Sequence, residues 1–195
     1  MRDKYGVAQD HYCYPDSTTL INLLNIRDSE ELDEAEVAFS EYRYNEYLSQ
    51  VSVLDDFDIK HFKFLHRVLF QDVYQWAGEL RDVDISKGST RFCHCAYIER
   101  ELIRQLKRIP QLVECPDRRA FIQLTIDIFC EINVIHPFRE GNGRATRFFF
   151  EELVFVAGYE LSWPEISKQK WVEANIQGYV GNLSLLESIF DQAIR

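Results

Sequence analysis

Residues 136–147 contain the side chains of this sequence that are best suited to phosphate chemistry. The segment reads His-Pro-Phe-Arg-Glu-Gly-Asn-Gly-Arg-Ala-Thr-Arg. Gly141, Asn142 and Gly143 allow a tight turn in which successive backbone N–H groups point inward and can bind an anion. The helix expected to follow adds its own free N–H groups and the positive end of its dipole. The pattern therefore predicts a phosphate-binding loop.

Four of the charged or titratable side chains in this segment are suited to the chemistry of bound phosphates. Arg144 and Arg147 are three residues apart, so both guanidinium groups can lie on one side of a helix and reach the same phosphates. Glu140 offers a hard oxygen ligand, suited to a Mg²⁺ ion held mainly by substrate phosphates. His136 titrates in the range needed to accept a proton from a hydroxyl group near pH 7. Each feature is common by itself, but together they predict a magnesium–polyphosphate site with a base beside it.

Helical periodicity of the apolar residues predicts the elements that position this site. The expected helices cover residues 29–50, 58–71, 117–136 and 144–157, with two short helices between 164 and 194. The expected N-caps are Ser29, Asp58 and Asp117. Residues 83–94 alternate instead around a Lys-Gly-Ser-Thr turn, which predicts an isolated β-hairpin. The expected fold class is all-α with one small hairpin, and neither a GxxxxGK[ST] nor a GxGxxG loop is present.

Two other patterns have a simpler structural interpretation. The acidic run from Asp28 to Glu36 is expected to be the solvated face of a helix. Cys93, His94 and Cys95 are adjacent on the predicted hairpin, where successive side chains point to opposite faces and do not converge on a metal ion.

The composition is that of one acidic globular domain. The chain has 195 residues, 46% of them hydrophobic, which is enough for a core of its own. A formal net charge of −10 disfavours direct binding of nucleic acid or of an anionic membrane. The five cysteines have no disulfide spacing, the first residues lack a signal-peptide core, and the longest apolar run has five residues, Leu153–Ala157. The cytosol is therefore the expected compartment.

The segment from His136 to Arg147 resembles the signature of Fic-domain proteins, HPFx[D/E]GNGRxxR, and matches it at every fixed position. The similarity extends to Trp76-Ala77-Gly78, to Arg81 and to the hairpin, and covers roughly residues 55–193. The resemblance implies a Fic-type helical bundle with a hairpin flap, in which residues 55–195 form the Fic domain. Residues 1–54 resemble the N-terminal helical part of the small bacterial Fic toxins, a possible dock for an antitoxin.

The resemblance also implies a reaction, the transfer of AMP from ATP to a hydroxyl side chain of a target protein with release of pyrophosphate. His136 would take the hydroxyl proton, and Glu140 would hold Mg²⁺ on the α- and β-phosphates. Arg144 would bind the β-phosphate and Arg147 the γ-phosphate. The backbone amides that cradle the phosphates would be those of Gly141, Asn142 and Gly143.

The hairpin would be the flap of the family, which pairs backbone to backbone with a segment of the target. Its docking residues would be Asp84, Ile85, Ser86 and Lys87. The adenine would lie between the base of the flap and the later helices, where the candidate contacts are Trp171, Asn175 and Tyr179. The modified residue would be a Tyr, Ser or Thr. Resemblance to the toxins suggests, as targets, the ATPase subunits of DNA gyrase and topoisomerase IV, modified on a tyrosine.

Two alternatives to AMP transfer stay open. One is transfer of another phosphate-linked group. In the phosphotransfer branch of the family a Lys replaces the second loop glycine, which is Gly143 here, so the sequence favours AMP transfer. The other is a Fic-like module that binds a nucleotide or a partner without catalysis.

The family's inhibitory motif, Ser/Thr-x-x-x-Glu-Gly/Asn, does not occur in this sequence. No Glu has a Ser or Thr four positions before it. The resemblance therefore predicts inhibition in trans, by a small antitoxin protein that supplies a Glu to Arg147.

Overall fold

The structure is a computed structural model that describes residues 10–50, 56–88 and 90–195, and in these ranges it has seven α-helices and one β-hairpin. The helices are α1 (Ser29–Leu48), α2 (Ile59–Phe70), α3 (Ile98–Leu106), α4 (Arg118–Ile135), α5 (Asn142–Val156), α6 (Lys168–Tyr179) and α7 (Ser184–Ala193). This confirms the predicted all-α class with a small hairpin. Over the described ranges, none of the helices combines the length and hydropathy that crossing a bilayer requires.

Helix α4 is the centre of the bundle. It packs against α3, α5, α6 and α7, and α2 packs against both α1 and α5. Phe129 shows how the core is built, because its ring contacts Phe150 of α5, Trp171 of α6 and Phe190 of α7. A helix with neighbours on several sides must be apolar on several sides, which explains the dense apolar sequence of α4.

The helix ends follow the predicted caps with two corrections. Asp58 and Asp117 cap α2 and α4, as predicted. The cap of α1 is Asp28 and not Ser29, because the Asp28 carboxylate accepts hydrogen bonds from the N–H groups of Glu30 and Glu31. Helix α5 begins at Asn142, two residues before the predicted start, so the end of the glycine loop is itself the first turn of the helix.

Helix α3 was not predicted from the sequence. It is only nine residues long and lies between two short 3-10 turns, Cys95–Tyr97 and Ile109–Leu112. Its buried side chains, Ile98, Leu102, Gln105 and Leu106, do have helical spacing. These four positions are few and one of them is polar, so they give only a weak helical pattern. Because the preceding residues are assigned to the hairpin, the segment resembles a loop in sequence.

The hairpin is shorter than the predicted 83–94. Its strands are β1 (Ser86–Lys87) and β2 (Thr90–Arg91), paired with Ser86 opposite Arg91 and Lys87 opposite Thr90. The ends of the predicted strands are held by Arg81 instead of by each other. Its guanidinium, in a side chain that is almost fully buried, donates to the carbonyls of Val83 and Cys93, both at 2.6 Å.

The same Arg81 side chain connects the hairpin to the end of α4. It donates to the carbonyl of His136 at 2.8 Å and to that of Ile135 at 3.1 Å. These carbonyls lie at the negative end of the α4 dipole, which favours a cation there. Arg81 therefore fixes both ends of the hairpin against the residue predicted to be the base.

The acidic run from Asp28 to Glu36 is only partly solvated, so the prediction of a solvated face is wrong for Glu36. Glu30, Glu31, Asp33 and Glu34 are exposed, but Glu36 is 2% exposed. It lies on the same face of α1 as Leu32 and Ser40, which are also buried. The spacing of four residues between these three positions is the signal that marks Glu36 as inward-facing.

His66 on α2 is a buried histidine that joins two backbone segments. Its Nδ1 accepts a hydrogen bond from the Gly78 N–H at 2.9 Å, so the ring proton is on Nε2, which donates to the Glu140 carbonyl at 2.9 Å. The ring stacks on Phe138 with the centroids 3.8 Å apart. Burial lowers the pKa of His66 from 6.5 to about 3, so the ring is neutral.

The neutral His66 makes the stability of the fold depend on pH. An unfolded histidine gains a proton as the pH falls through 6.5, whereas the buried ring does not, so this stabilisation is complete above pH 6.5 and is lost as the pH falls towards 3. We expect His66 to lower the free energy of unfolding by about 2 kcal/mol between pH 7 and pH 5. Urea denaturation at both pH values measures the change.

The control for this prediction is the His66→Gln variant. It should be less stable at pH 7, because ring packing and a hydrogen bond are lost. Its loss of stability between pH 7 and pH 5 should be smaller than that of the original protein. An equal pH dependence in the two proteins would contradict the assignment.

Candidate active site

One pocket of about 560 Å³ collects most of the predicted site residues. It is formed by the hairpin, the end of α4, the loop after it, and helices α5 and α6. The predicted residues that line it are Lys87, His136, Glu140, Gly141, Gly143, Arg144, Arg147, Trp171, Asn175 and Tyr179. The four predicted residues outside the lining are Asp84, Ile85, Ser86 and Asn142.

His136 is the last residue before the loop and has a left-handed backbone, with φ 49° and ψ 63°. Its N–H still bonds to the Ile132 carbonyl at 3.0 Å, so the residue ends α4 and turns the chain at once. A left-handed backbone is costly for a residue other than glycine. Here the hydrogen bond from Arg81 to the His136 carbonyl holds the conformation.

The His136 ring is oriented by two contacts. Its Nδ1–H donates to the Asn133 carbonyl at 3.1 Å, and because a carbonyl can only accept, this fixes the neutral ring with its lone pair on Nε2. The ring stacks on Phe92 of the hairpin, with the centroids 3.9 Å apart and an interplanar angle of 15°. Burial lowers the pKa of His136 from 6.5 to about 4, so the ring is unprotonated at pH 7. Nε2 is therefore a proton acceptor.

Asn142 shapes the loop through its side chain. Its Oδ1 accepts from the Phe138 N–H at 2.8 Å, and its Nδ2 donates to the Phe138 carbonyl at 2.7 Å. Phe138 is completely buried. The Asn142 side chain therefore closes the turn, and its backbone N–H lies in the first turn of α5, where N–H groups have no partner within the helix.

The two loop glycines are required for different reasons. Gly141 has φ 80°, and a Cβ there would lie 2.4 Å from the ring of Phe70. Gly143 has no atom within 4 Å of the place its Cβ would occupy, yet it lines the pocket. The protein itself therefore has space for a side chain at Gly143, and a side chain there would occupy part of the pocket.

Glu140 and Arg147 face the same pocket with opposite charge. Glu140 is 6% exposed, and its Oε1 accepts from the Gly141 N–H at 2.9 Å. The half-buried Arg147 guanidinium lies 5.7 Å from the centre of the Trp171 ring, and burial lowers its pKa. Within the described ranges Arg147 makes no hydrogen bond and no ion pair, and a buried guanidinium in this state attracts an anion.

The residues around Glu140 also fit a magnesium ion. A single buried carboxylate is the protein contribution that Mg²⁺ needs when the remaining oxygen ligands are phosphates and waters. The open space above Gly143 and the guanidinium of Arg147 provide room and charge for those phosphates.

The base of the hairpin is a hydrogen-bonded cluster. Asp84 accepts from the Cys95 N–H at 2.8 Å and lies 3.3 Å from His94 Nε2. The ligand-type atoms of Asp84, His94 and Cys95 lie within 4.8 Å of one another, so the expectation that alternation separates neighbouring side chains here was wrong. The alternation fails because β2 already ends at Arg91. His94 Nδ1 accepts from the Ala96 N–H at 3.2 Å, so its proton is on Nε2, where it points towards Asp84.

Helix α6 forms the wall opposite the loop. Asn175 is held by two hydrogen bonds, one to the Trp171 carbonyl at 2.7 Å and one from Asn133 at 3.0 Å. The Tyr179 hydroxyl donates to the Arg91 carbonyl of β2 at 3.0 Å. The α6 wall and the hairpin are thus joined at the rim of the pocket.

Comparison with known proteins identifies the family of this chain. The sequence model of the Fic/DOC family matches residues 56–154. The whole chain is 41% identical to the probable protein adenylyltransferase Fic of Escherichia coli (strain K12), of which the alignment covers 96%. It is 38% identical to the protein adenylyltransferase VbhT of Bartonella schoenbuchensis, over 95% of this chain and 39% of VbhT.

This chain belongs to the Fic/DOC family.

Solved structures have the same fold. The N-terminal Fic domain of a Bartonella effector protein, from Bartonella sp. AR 15-3, superimposes with a TM-score of 0.86 at 24% identity, and covers 97% of this chain and 95% of that one. BepC of Bartonella tribocorum, solved with bound AMPPNP, gives a TM-score of 0.85 at 25% identity, covering 94% of this chain and 96% of that one. The helical Fic fold with its hairpin is therefore common to these proteins.

Several residues of this Fic site were not assigned a role from the sequence. Phe92 and Asn133 orient His136, and Arg81 holds its carbonyl. Glu36 and Tyr74 stand behind Arg144. Contacts that use backbone carbonyls, or that join distant elements of the bundle, leave no spacing pattern in the local sequence. Among these residues only Glu36 belongs to such a pattern, because it is four residues from Leu32 and from Ser40.

The two loop glycines give a paired test of the Fic site. Gly141→Ala should lower the free energy of unfolding by about 1–3 kcal/mol, because of the positive φ and the overlap with Phe70. Gly143→Ala should keep the stability but weaken binding of a non-hydrolysable ATP analogue, because the new methyl group occupies pocket space. Urea denaturation and calorimetric titration measure the two effects. Unchanged affinity of the Gly143→Ala variant would contradict this role for the position.

Proposed function

We propose that this protein adenylyltransferase transfers AMP from ATP to a hydroxyl side chain of a target protein and releases pyrophosphate. The observation that carries the proposal is one pocket holding both a neutral histidine, His136, with its lone pair on Nε2, and a guanidinium, Arg147, without an ion pair among the described residues. A base beside an anion site is what attack of a hydroxyl on a phosphate requires.

The reaction forms a bond between the target oxygen and the α-phosphorus and breaks the bond from that phosphorus to the bridging oxygen of the pyrophosphate. His136 Nε2 takes the hydroxyl proton. The Nδ1–H bond to the Asn133 carbonyl keeps the ring oriented and stabilises the imidazolium that forms. Pyrophosphate leaves with the electron pair of the broken bond.

The phosphate chain would lie along the first turn of α5. Arg144 would bind the β-phosphate and Arg147 the γ-phosphate, with amides of Gly141, Asn142 and Gly143 below them. The Gly141 amide already bonds to Glu140, so it is the one amide that has to exchange its partner. Mg²⁺ held by Glu140 would neutralise charge on the α- and β-phosphates. The adenine would lie against α6, with Trp171, Asn175 and Tyr179 as its contacts.

The target would pair with the hairpin by β-augmentation. Strand β1 pairs with β2 along one edge, with Ser86 opposite Arg91. In the described residues no strand pairs with the other edge of β1, so a segment of the target could pair there. The docking segment would comprise Asp84, Ile85, Ser86 and Lys87, with a Tyr, Ser or Thr of the target above His136. The ATPase subunits of DNA gyrase and topoisomerase IV are the proposed targets.

Regulation in trans is part of this proposal. An antitoxin would dock on residues 1–54 and would place the carboxylate of a Glu against Arg147. This follows from the resemblance to the small Fic toxins. Of the docking range, residues 1–9 and 51–54 lie outside the described ranges. Arg147 has no ion pair among the described residues, which supports its availability to an inhibitory Glu.

All five cysteines are free thiols, which supports a cytoplasmic, reducing environment.

The first test uses ATP labelled at either the α- or the γ-phosphate, with the purified chain, magnesium and a bacterial lysate. We expect label to enter protein only from the α-position, and without any added partner. Label from the γ-position would indicate phosphotransfer and contradict the role given to Gly143. Absence of label from both, also with isolated gyrase subunit, would favour a non-catalytic binding module.

The second test removes the base. His136→Ala should lower the rate of AMP transfer by about 10²–10⁴-fold, because the hydroxyl loses its positioned proton acceptor. The affinity for an ATP analogue should change little, whereas loss of the stack on Phe92 should lower the free energy of unfolding by about 1 kcal/mol. His11→Ala is the control, since His11 is exposed and lies outside the pocket. A His136→Ala variant as fast as the original protein would refute the assignment.

A further inference from the structure

Glu36 is a buried carboxylate that reaches the active site from outside the residues matched by the family. It lies on α1, in front of the matched range 56–154, and is 2% exposed. Its Oε1 accepts from the Tyr74 hydroxyl and its Oε2 accepts from Arg144. Burying a carboxylate is costly unless it is paired and hydrogen-bonded, and both conditions are met here.

Arg144 is held by protein groups on several sides. Ser40 Oγ accepts from its guanidinium at 3.2 Å, and the guanidinium carbon lies 4.6 Å from the centre of the Phe70 ring. Glu36 and Ser40 are one turn apart on α1, so a single helix face supplies both acceptors. A guanidinium has five N–H donors, which leaves others for a ligand in the pocket.

Tyr74 fixes Glu36 in turn. It is 1% exposed and stacks on Trp76, with the ring centroids 4.3 Å apart. Burial and the nearby Glu36 charge raise the pKa of Tyr74 far above its ordinary value, so its hydroxyl remains a donor. The chain of contacts runs from Trp76 through Tyr74 and Glu36 to Arg144.

Arg144 has a second acidic neighbour, Glu140, the residue proposed to hold the metal. The distance from the Arg144 guanidinium to Glu140 Oε1 is 3.9 Å, and the two residues are four apart in sequence. At this distance a small rotation of the Arg144 side chain would complete a hydrogen-bonded ion pair with Glu140. Glu36 therefore competes with Glu140 for the same guanidinium.

We propose that Glu36 is a positioning residue that orients Arg144 towards the phosphates and keeps it from forming a hydrogen bond with Glu140. This inference rests on the proposed function. Glu36 does not line the pocket, and it would affect a bound ligand through Arg144. The helix α1 is then part of the nucleotide site, although it contributes no lining residue.

The charge of Glu36 gives the test a clear sign. Removing a negative charge beside an arginine, with no other change, would strengthen phosphate binding. If Glu36 serves to orient Arg144, its isosteric replacement must have the opposite effect, because the ionised Glu140 then becomes the stronger acceptor for Arg144.

The experiment is a calorimetric titration of the full chain with a non-hydrolysable ATP analogue, at saturating and limiting Mg²⁺, and with AMP. For Glu36→Gln we expect about tenfold weaker binding of the analogue and a higher Mg²⁺ requirement. Binding of AMP should not change, because AMP lacks the phosphate that Arg144 contacts. Tyr74→Phe, which keeps the stack on Trp76, should weaken analogue binding in the same direction by about threefold.

The control is Glu34→Gln, which removes the same charge from an exposed position on α1. It should bind both ligands as the original protein does. Equal or tighter binding of the analogue by Glu36→Gln would overturn the inference, as would an equal loss of AMP affinity, which indicates a general structural defect. If the original protein binds no ATP analogue, the proposed function fails and this inference fails with it.

Discussion

The site depends above all on the buried guanidinium of Arg81. It donates to the carbonyls of Val83 and Cys93, at the two ends of the hairpin, and to those of Ile135 and His136, at the end of α4. Carbonyls that end a helix or leave a strand need donors, and one planar side chain provides them. A Lys in its place would provide a single cationic centre and could not reach four acceptors in these directions. The relation between the hairpin and the proposed base therefore depends on one side chain.

The glycine loop is fixed by neutral hydrogen bonds from the core side. His66 donates to the Glu140 carbonyl, and Asn142 bonds to both backbone groups of Phe138. The charged residues Glu140, Arg144 and Arg147 line the pocket side. Three charged groups contact this region from the core side instead: Arg81 at the end of α4, Arg139, which pairs with Asp10, and Glu36 on α1, which pairs with Arg144. The nucleotide site thus draws on residues well outside the segment that carries the signature.

Much of this arrangement could be predicted from the sequence, and the failures have physical reasons. Caps and periodicity gave the long helices, because those signals are local. The glycine loop was predictable because its residue types form a local pattern, although only Gly141 has a steric reason within the protein to be glycine. The length of the hairpin and the presence of α3 depend on contacts with other elements. The cap of α1 depends on a choice between the adjacent residues Asp28 and Ser29. The spacing of Glu36 from Leu32 and Ser40 indicates that its side chain is buried. Its partners, Tyr74 and Arg144, are distant in sequence and are close to it only in the folded chain.

The two-residue strands of the hairpin have a further consequence. A hairpin of this length has little stability of its own, and its order comes from Arg81 below and from Tyr179 at the side. Both bonds reach backbone carbonyls, so neither specifies which side chains the tip presents. Apart from Gly88, whose φ of 59° favours glycine, the side chains of the two strands can therefore change by mutation at little cost to folding, and the chain could acquire new protein partners while its chemistry stays the same.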